Sequence, residues 1–170
     1  MIAVIQRVRR TSATVGSHVF AQIGQGLVML LGVAQGDTGQ DVDFMVEKIP
    51  RLRIFPDTQS KRNYALQDIN GELLVVSQFT LLANTDKGQR PSFESAAPPE
   101  EARVRYQEVL EKFHALGLAV QGGIFGATMV VSLENDGPVT LHLDTKGHKA
   151  VNKVKDSLPR ADTVIQSETP

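Results

Sequence analysis

The segment Ser77–Thr80 places polar residues directly after the apolar run Leu73–Val76. A buried strand that exchanges apolar residues for Ser, Gln and Thr loses core stability, and its hydroxyls and amide need hydrogen-bond partners. The Ser77 and Thr80 hydroxyls become nucleophiles only beside a general base, and the sequence brings no histidine near them. The residue types alone leave two interpretations open: a site for chemistry, or strand-end hydroxyls satisfied by backbone groups.

A second polar interruption, Asn135-Asp136-Gly137-Pro138-Val139-Thr140, follows the apolar run 129–133. A Gly-Pro pair ordinarily makes a turn between two strands, and a peptide bond before proline can be cis. Arg7 interrupts the first apolar stretch in a similar way. A strand arginine is either a solvated edge residue or a buried clamp for carbonyls and carboxylates.

The loop Lys87–Phe93 is basic, rich in turn residues and ends in an aromatic side chain. Taken alone it is a surface loop, whereas beside an active site it would meet a phosphate or a ribose. The four histidines are scattered and none pairs at metal-ligand spacing. Phosphate-loop, nucleophile-elbow and zinc-protease motifs do not occur, so we expect neither a metal nor a cofactor.

Composition limits the function classes further. The chain has 170 residues, 41% hydrophobic and 22% charged, which is typical of one ordinary globular domain. Its net charge of -1 does not indicate a nucleic-acid binder or a membrane-surface protein, so contact with a polyanion requires a local patch. The absence of cysteine excludes disulfides and a thiol nucleophile. The first residues do not read as a signal peptide, and we expect a cytoplasmic protein.

Strand patterns dominate the elements that must position these residues. We predict strands at 2–8, 13–15, 19–23, 27–33, 52–55, 72–82, 118–120, 125–133 and 139–143. One helix should begin at Asp37 or Thr38 and end or kink at Pro50. A second should begin at Pro99 and be capped by Gly117. Its apolar stripe consists of Ala102, Tyr106, Val109, Leu110, Phe113 and Leu116. This order favours a mixed α/β domain over a regular βαβ alternation.

Taken together, the motifs resemble those of the D-aminoacyl-tRNA deacylase (D-tyrosyl-tRNA(Tyr) deacylase) family in order and spacing. The resemblance rests on Ser77–Thr80, Arg90-Pro91-Ser92-Phe93, Phe125-Gly126-Ala127 and 135–140, with support from Ile5-Gln6-Arg7-Val8 and 27–33. It covers residues 1–144, and the first and last of the four motifs are the most specific in combination.

The resemblance implies a single mixed domain of β-sheets, or a partly closed β-barrel, packed with two main helices and assembled as a homodimer. It implies hydrolysis of the ester between a D-amino acid and the terminal ribose of tRNA, and also of glycyl-tRNA(Ala). The expected partners are the 3′ end of aminoacyl-tRNA and a second copy of the chain, with no DNA and no membrane. No cofactor is implied.

The resemblance also assigns roles to residues. Ser77, Gln78, Phe79 and Thr80 are catalytic. The backbone N–H groups of Gln78, Phe79 and Thr80 stabilise an oxyanion, while the 2′-hydroxyl of the tRNA assists the attack. Gly137-Pro138 enters the partner subunit's pocket through a cis peptide bond whose carbonyls face the substrate amino group. It thereby acts as a chiral gate that excludes L-amino acids, and Arg7 holds it in place.

Further residues are assigned to substrate binding. Phe79 and Phe125 should contact the terminal adenosine, and Met129 should line the pocket. Lys87 and Arg90 are possible tRNA contacts.

Two alternatives to this function remain, namely a non-catalytic binder of charged tRNA ends and an esterase with Thr80 as nucleophile. The chain departs from the family pattern at Pro50, where we expect a shifted helix end. It also departs after Asp144, so we predict a deacylase domain at 1–145 and a C-terminal extension at 146–170. The lysines of the extension would contact the acceptor stem, or else form a solvated helix and tail.

Overall fold

The computed structural model describes residues 1–59, 61–86 and 88–146. Its strands are β1 (Ile2–Val15), β2 (His18–Ile23), β3 (Gly26–Gly32), β4 (Phe55–Pro56), β5 (Arg62–Tyr64), β6 (Glu72–Ser77), β7 (Ala119–Gly122) and β8 (Val130–Asp144). Its α-helices are α1 (Gly39–Lys48) and α2 (Pro99–Ala115). Short 3₁₀ helices occupy Ile49–Arg51, Gln67–Ile69 and Phe79–Leu82.

Six strands form one mixed sheet in the order β2-β1-β3-β6-β7, with β8 paired to β1. The long strand β1 has room for these partners because β3 pairs with its first half, β2 with its second half and β8 with both. The two sheet edges approach each other, since the Gln121 side chain accepts from the Gln22 N–H at 2.8 Å and donates to its carbonyl at 2.6 Å. The sheet therefore curls into a nearly closed barrel beside two helices, as expected.

The central strand β6 is buried on both faces, as its continuous apolar run predicts. Leu73 and Val75 belong to the main core, which also contains Val109 and Phe113 of α2. The alternate residues of β6 join a smaller cluster that consists of Val8, Ala13, Ala21, Ile23, Val28, Leu74 and Val76. This alternation explains how one strand supports two apolar clusters.

The two predicted helices are present. Thr38 caps α1 through a capping box, in which its hydroxyl accepts from the Gln40 N–H at 3.3 Å and its own N–H donates to Asp41 at 2.8 Å. Helix α1 ends before Pro50, which lies in a 3₁₀ helix. Gly117 follows α2 with a φ of 75°, as a C-terminal cap requires. No helix in the described ranges is both long and apolar enough to span a bilayer.

Several predicted element boundaries are wrong. The predicted strands 2–8 and 13–15 are one strand, and the predicted strand 52–55 reduces to Phe55–Pro56. The predicted strand 72–82 ends at Ser77, and the predicted strand 125–133 begins only at Val130. Leu116, assigned to the apolar stripe of α2, lies after the helix end and is 49% exposed.

The Gly137-Pro138 pair does not make a turn between two strands, because β8 continues through it. Gln6 pairs with Thr140, whereas Val8 pairs with Asn135. Residues 136–139 therefore form a bulge opposite Arg7, and the register shift in β1 absorbs the extra residues. Of the predicted C-terminal extension, only Lys146 belongs to the described residues, so its helix and its lysines remain a prediction.

Candidate active site

The polar segment after β6 turns away from the sheet at Gln78. Its backbone N–H donates to the Leu31 carbonyl at 2.7 Å, which is the last bond to β3 before the 3₁₀ helix 79–82 begins. Of the three N–H groups expected to stabilise an oxyanion, that of Gln78 is therefore occupied. The N–H groups of Phe79 and Thr80 open a helical turn, where the helix itself offers them no acceptor.

Thr80 is exposed, and its hydroxyl accepts a hydrogen bond from the Gln78 side-chain amide. An amide N–H donor is not a general base. A hydrogen bond from it to the hydroxyl oxygen does not make that oxygen more nucleophilic. Among the described residues, the structure shows no histidine or carboxylate hydrogen-bonded to Thr80. These contacts favour a positioning role over an acyl-enzyme nucleophile.

A cavity with a volume of about 730 Å³ opens beside this segment. The carboxyl ends of β3 and β6 form one wall, the start of α2 and the segment before it form another, and the loop before β8 forms a third. The lining residues are Leu31, Val33, Gln35, Val76, Ser77, Gln78, Phe79, Phe93, Glu94, Ala96, Ala97, Pro98, Pro99, Ala102, Tyr106, Phe125, Gly126, Ala127, Thr128, Met129 and Val131. Its mainly apolar wall and few polar groups are typical of a small-molecule or cofactor-sized site.

Aromatic side chains line this cavity. Phe79 is 58% exposed and meets Phe93 edge to face, with ring centroids 5.1 Å apart. Phe125 lies 5.6 Å from the Tyr106 ring, and the Arg103 guanidinium lies 5.0 Å from the Phe125 centroid. Such faces can stack on a nucleobase.

The loop before Phe93 is closed at its base. Asn84 and Ser92 exchange two backbone hydrogen bonds of 2.8 and 2.9 Å. Arg90 is exposed on this loop, which leaves its tRNA contact a prediction. Lys87 lies outside the described residues.

Tyr106 connects α2 to the cavity floor. Its hydroxyl lies 2.9 Å from the Val75 carbonyl and 3.0 Å from the Gly123 carbonyl, and it donates to this pair. Burial raises the pKa of Tyr106 well above its usual value, so the phenol stays a hydrogen-bond donor. At Gly123 a Cβ atom would lie 2.8 Å from the Met129 sulfur. The absence of a side chain at Gly123 therefore leaves room for the Met129 side chain, which lines the cavity.

Arg7 is only 7% exposed, so the solvated-edge interpretation is wrong. Its Nε donates to the Asp136 carbonyl at 3.0 Å and pairs with the Asp136 carboxylate at 3.0 Å. Its Nη1 donates to the Ile54 carbonyl, and its guanidinium lies over the Phe55 ring. Arg7 is thus a buried clamp for carbonyls and a carboxylate, the second of the two interpretations.

The clamp holds an exposed Gly137-Pro138 pair whose peptide bond is cis. Gly137 has a φ of 136°, which L side chains rarely adopt. A Cβ atom there would also lie 2.8 Å from Nη2 of Arg7. Both the backbone conformation and the close approach of Arg7 therefore require glycine.

The structure brings some of the expected residues together and separates others. Ser77, Gln78, Phe79, Phe125 and Met129 line one cavity. The residues outside its lining are Thr80, Arg90, Gly137 and Pro138, besides the clamp residue Arg7. The described residues contain no group of side chains that could hold a metal ion.

Sequence reasoning missed Tyr106 and Arg103 as site residues. The sequence pattern places Tyr106 in the apolar stripe of α2. Its hydroxyl is the signal that could have identified it, because a buried phenol needs a hydrogen-bond partner. Arg103 gave no signal, since an arginine on an amphipathic helix is usually solvated. Phe93 belongs to the motif 90–93, and the resemblance assigns no role to its side chain.

The chain resembles known proteins over most of its length. A family model described as D-Tyr-tRNA(Tyr) deacylase matches residues 4–144. A D-aminoacyl-tRNA deacylase of Sulfurihydrogenibium sp. (strain YO3AOP1) is 53% identical over 146 residues, which cover 86% of this chain and 99% of that protein. One of Geotalea uraniireducens (strain Rf4) is 51% identical over 149 residues, which cover 88% and 96% of the two chains.

Two solved structures share the fold. The c-Myc DNA unwinding element binding protein has a TM-score of 0.80 and 42% identity, covering 85% of this chain and 98% of its own. A probable eukaryotic D-amino acid tRNA deacylase has a TM-score of 0.72 at 15% identity, covering 84% and 97%.

Proposed function

The chain belongs to the D-Tyr-tRNA(Tyr) deacylase family, and we propose that its cavity holds the aminoacylated 3′ end of tRNA. As a D-aminoacyl-tRNA deacylase it is a hydrolase of ester bonds, which releases a D-amino acid and free tRNA. The observation that carries the assignment to this cavity is that Ser77, Gln78 and Phe79 line it together with Phe125 and Met129. In this arrangement Phe79 and Phe125 contact the terminal adenosine.

The proposed chemistry uses backbone groups. Attack of water on the ester carbonyl develops negative charge on its oxygen, and the N–H groups of Phe79 and Thr80 stabilise that charge. One such donor typically contributes about 3 kcal/mol to a transition state. The 2′-hydroxyl of the terminal ribose assists the attack, which is consistent with Thr80 having no histidine or carboxylate bound to it in the described part of the chain. This requirement favours RNA over DNA as the nucleic acid partner, although one structural relative is named for a DNA element.

Selectivity for handedness comes from Gly137-Pro138 of a partner subunit in a homodimer. Two observations support this: the pair is exposed, and it does not line the cavity of its own chain. Arg7 makes the pair rigid from the buried side. A rigid backbone that grips the amino group leaves room for a hydrogen or a D-side chain, whereas an L-side chain clashes with it. Glycine passes this gate, so glycyl-tRNA(Ala) is also a substrate.

The test compares hydrolysis of D- and L-aminoacyl-tRNA that carry the same amino acid on the same tRNA. We expect rapid loss of the D-ester while the L-ester survives. Loss of neither ester would indicate a non-catalytic binder, and loss of both would contradict the gate. A D-aminoacyl-tRNA with a 2′-deoxy terminal ribose serves as the mechanistic control, and we expect it to resist hydrolysis.

A further inference from the structure

The described residues of the cavity lining lack the positive charge that the end of a polyanion such as tRNA would need. Among the described residues that line the cavity, none is a lysine or an arginine, and the one carboxylate is that of Glu94. A terminal adenosine bound there brings the phosphate that joins it to the preceding nucleotide. That phosphate needs a positioned cation, because phosphate contacts supply most of the affinity for nucleic acids.

Arg103 is the cation that the structure places against the lining. Its guanidinium carbon lies 5.0 Å from the centroid of the Phe125 ring. Tyr106, which follows it on α2 by one helical turn, contacts the same ring at 5.6 Å. One face of α2 therefore fixes the ring of Phe125, whose backbone lies in the loop between β7 and β8.

The charge of Arg103 is available to a ligand. Arg103 is exposed, and the structure shows no ion pair for it among the described residues. Its helix neighbour Arg105 differs, since that guanidinium binds Glu108 at 2.7 Å. A guanidinium stacked on an aromatic ring keeps its N–H edge free, and this edge matches the oxygens of a phosphate.

We propose that Arg103 binds the phosphate on the 5′ side of the terminal adenosine and positions Phe125 against that nucleotide. This inference rests on the proposed function, because it takes the cavity to be the site of the tRNA 3′ end. It adds a substrate-binding residue outside the cavity lining and outside the motifs that carry the family resemblance.

The test is a cycle of binding measurements with two RNAs that carry no amino acid. One is an intact tRNA, and the other is the same tRNA without its terminal adenosine and the attached phosphate. Arg103→Gln should weaken binding of the intact tRNA by about fivefold to tenfold, as expected for one charged contact. It should weaken binding of the truncated tRNA by less than about twofold, because the contacted phosphate is absent.

Two further variants separate charge from stacking and fold. Arg103→Lys keeps the charge, so it should keep the salt dependence of binding. Arg103→Gln should reduce the slope of the logarithm of the binding constant against the logarithm of the salt concentration by about 0.7. Arg51→Gln is the matched control, because Arg51 is an exposed arginine that pairs with Glu47 and does not line the cavity. It should change neither the affinity difference between the RNAs nor the slope.

Equal weakening of both RNAs by Arg103→Gln would overturn the proposal, and so would unchanged binding of the intact tRNA. If the wild-type protein binds the two RNAs equally, the 3′ end does not occupy the cavity and the proposal fails with its premise. The hydrolysis of D-aminoacyl-tRNA is measured separately, so a failure at Arg103 alone leaves the proposed function intact.

Discussion

Two arginines contact Asp136, and their surroundings give them different roles. The Arg7 side chain is 9% exposed and also binds the Ile54 carbonyl, whereas the Arg9 side chain is 69% exposed and lies 3.5 Å from the carboxylate. A lysine at position 7 cannot reach both the bulge and the Ile54 carbonyl, since it lacks the planar fork. We expect Arg7→Lys to lower the free energy of unfolding by about 2 kcal/mol and to slow hydrolysis of D-aminoacyl-tRNA.

The matched control is Arg9→Lys, which changes an exposed partner of the same carboxylate. Its effect on the free energy of unfolding should stay below about 0.5 kcal/mol. Urea unfolding and the deacylation assay measure both variants. Equal stability of the two variants would contradict the clamp that we assign to Arg7.

The Thr80 hydroxyl is also open to a direct test. Its oxygen accepts from the Gln78 amide, and Thr80→Ala removes the hydroxyl while it keeps the backbone N–H. We expect kcat to fall by less than about tenfold, because a lost nucleophile costs far more, about 10⁴-fold or greater. Single-turnover hydrolysis of D-aminoacyl-tRNA gives the value. A loss of several orders of magnitude would restore the nucleophile hypothesis.

At the level of elements, hydrophobic runs and helix-end residues predicted where some strands and helices lie, because these signals act over a few neighbouring residues. The apolar run of β6 and the proline and glycine at the ends of α2 were sufficient to locate these two elements. The end of β6 was not predictable, because the bond from Gln78 to Leu31 depends on where β3 ends. The continuity of β8 was hidden for the same reason, since the register of β1 decides whether Gly137-Pro138 is a turn or a bulge.

The candidate site divides in the same way. Motif residues such as Ser77 and Phe125 received their roles through the family resemblance, and the structure places them in one cavity. Arg103 and Tyr106 depend on which face of α2 meets the loop before β8, which the sequence does not show. Their roles became visible only through the contacts with Phe125.

The Tyr106 hydroxyl joins three elements, so we predict that Tyr106→Phe affects the site as well as the fold. The change leaves the Val75 and Gly123 carbonyls without their shared donor. The free energy of unfolding should fall by about 1–2 kcal/mol, and kcat should fall because the loop that carries Phe125 loses an anchor. Tyr64→Phe is the control, since Tyr64 is exposed. Equal urea midpoints for the two variants would show that the anchor has no effect on stability.

The ion pairs of Lys112 on α2 should make stability depend on pH. Lys112 binds Glu108 at 2.9 Å and Asp43 at 2.6 Å, and the hydrogen bond from Lys112 is the main cause that holds the pKa of Glu108 below its usual 4.5. A carboxylate with a lowered pKa in the folded state stabilises the fold above its unfolded pKa. This stabilisation is lost as the pH falls through the folded pKa.

Glu108→Gln should therefore lower the urea midpoint at about pH 6 and reduce its decline towards about pH 3. Glu111→Gln is the control, because Glu111 is exposed on the same helix and its side chain is bonded to Gln107. If both variants keep the acid decline of the wild-type protein, the ion pairs of Glu108 do not cause it.

At the scale of the molecule, β8 is a sheet strand that leaves apolar side chains exposed to solvent. Most of its residues are exposed although it belongs to the central sheet. Val130 is 65% exposed and Leu133 is 45% exposed, and on β2 Val19 and Phe20 are exposed by 57% and 53%. The strands β2 and β8 flank the second half of β1, and large exposed apolar side chains on neighbouring parts of a sheet are typical of an interaction surface. This surface belongs to the strand that carries Gly137-Pro138, which supports a second copy of the chain as its partner.

The homodimer with a gate in trans predicts complementation between two inactive variants. Gly137→Ala should spoil the gate, since its Cβ atom would clash with Arg7, and it leaves the cavity unchanged. Ala127→Trp should fill the cavity and leave the gate unchanged. If the subunits are mixed equally and exchanged by unfolding and refolding, half of the dimers are mixed, and each mixed dimer has one intact cavity facing one intact gate. Hydrolysis of D-aminoacyl-tRNA should return to about a quarter of the wild-type rate. Each variant refolded alone is the control, and a mixture with only the summed residual rates would exclude a gate supplied by the partner.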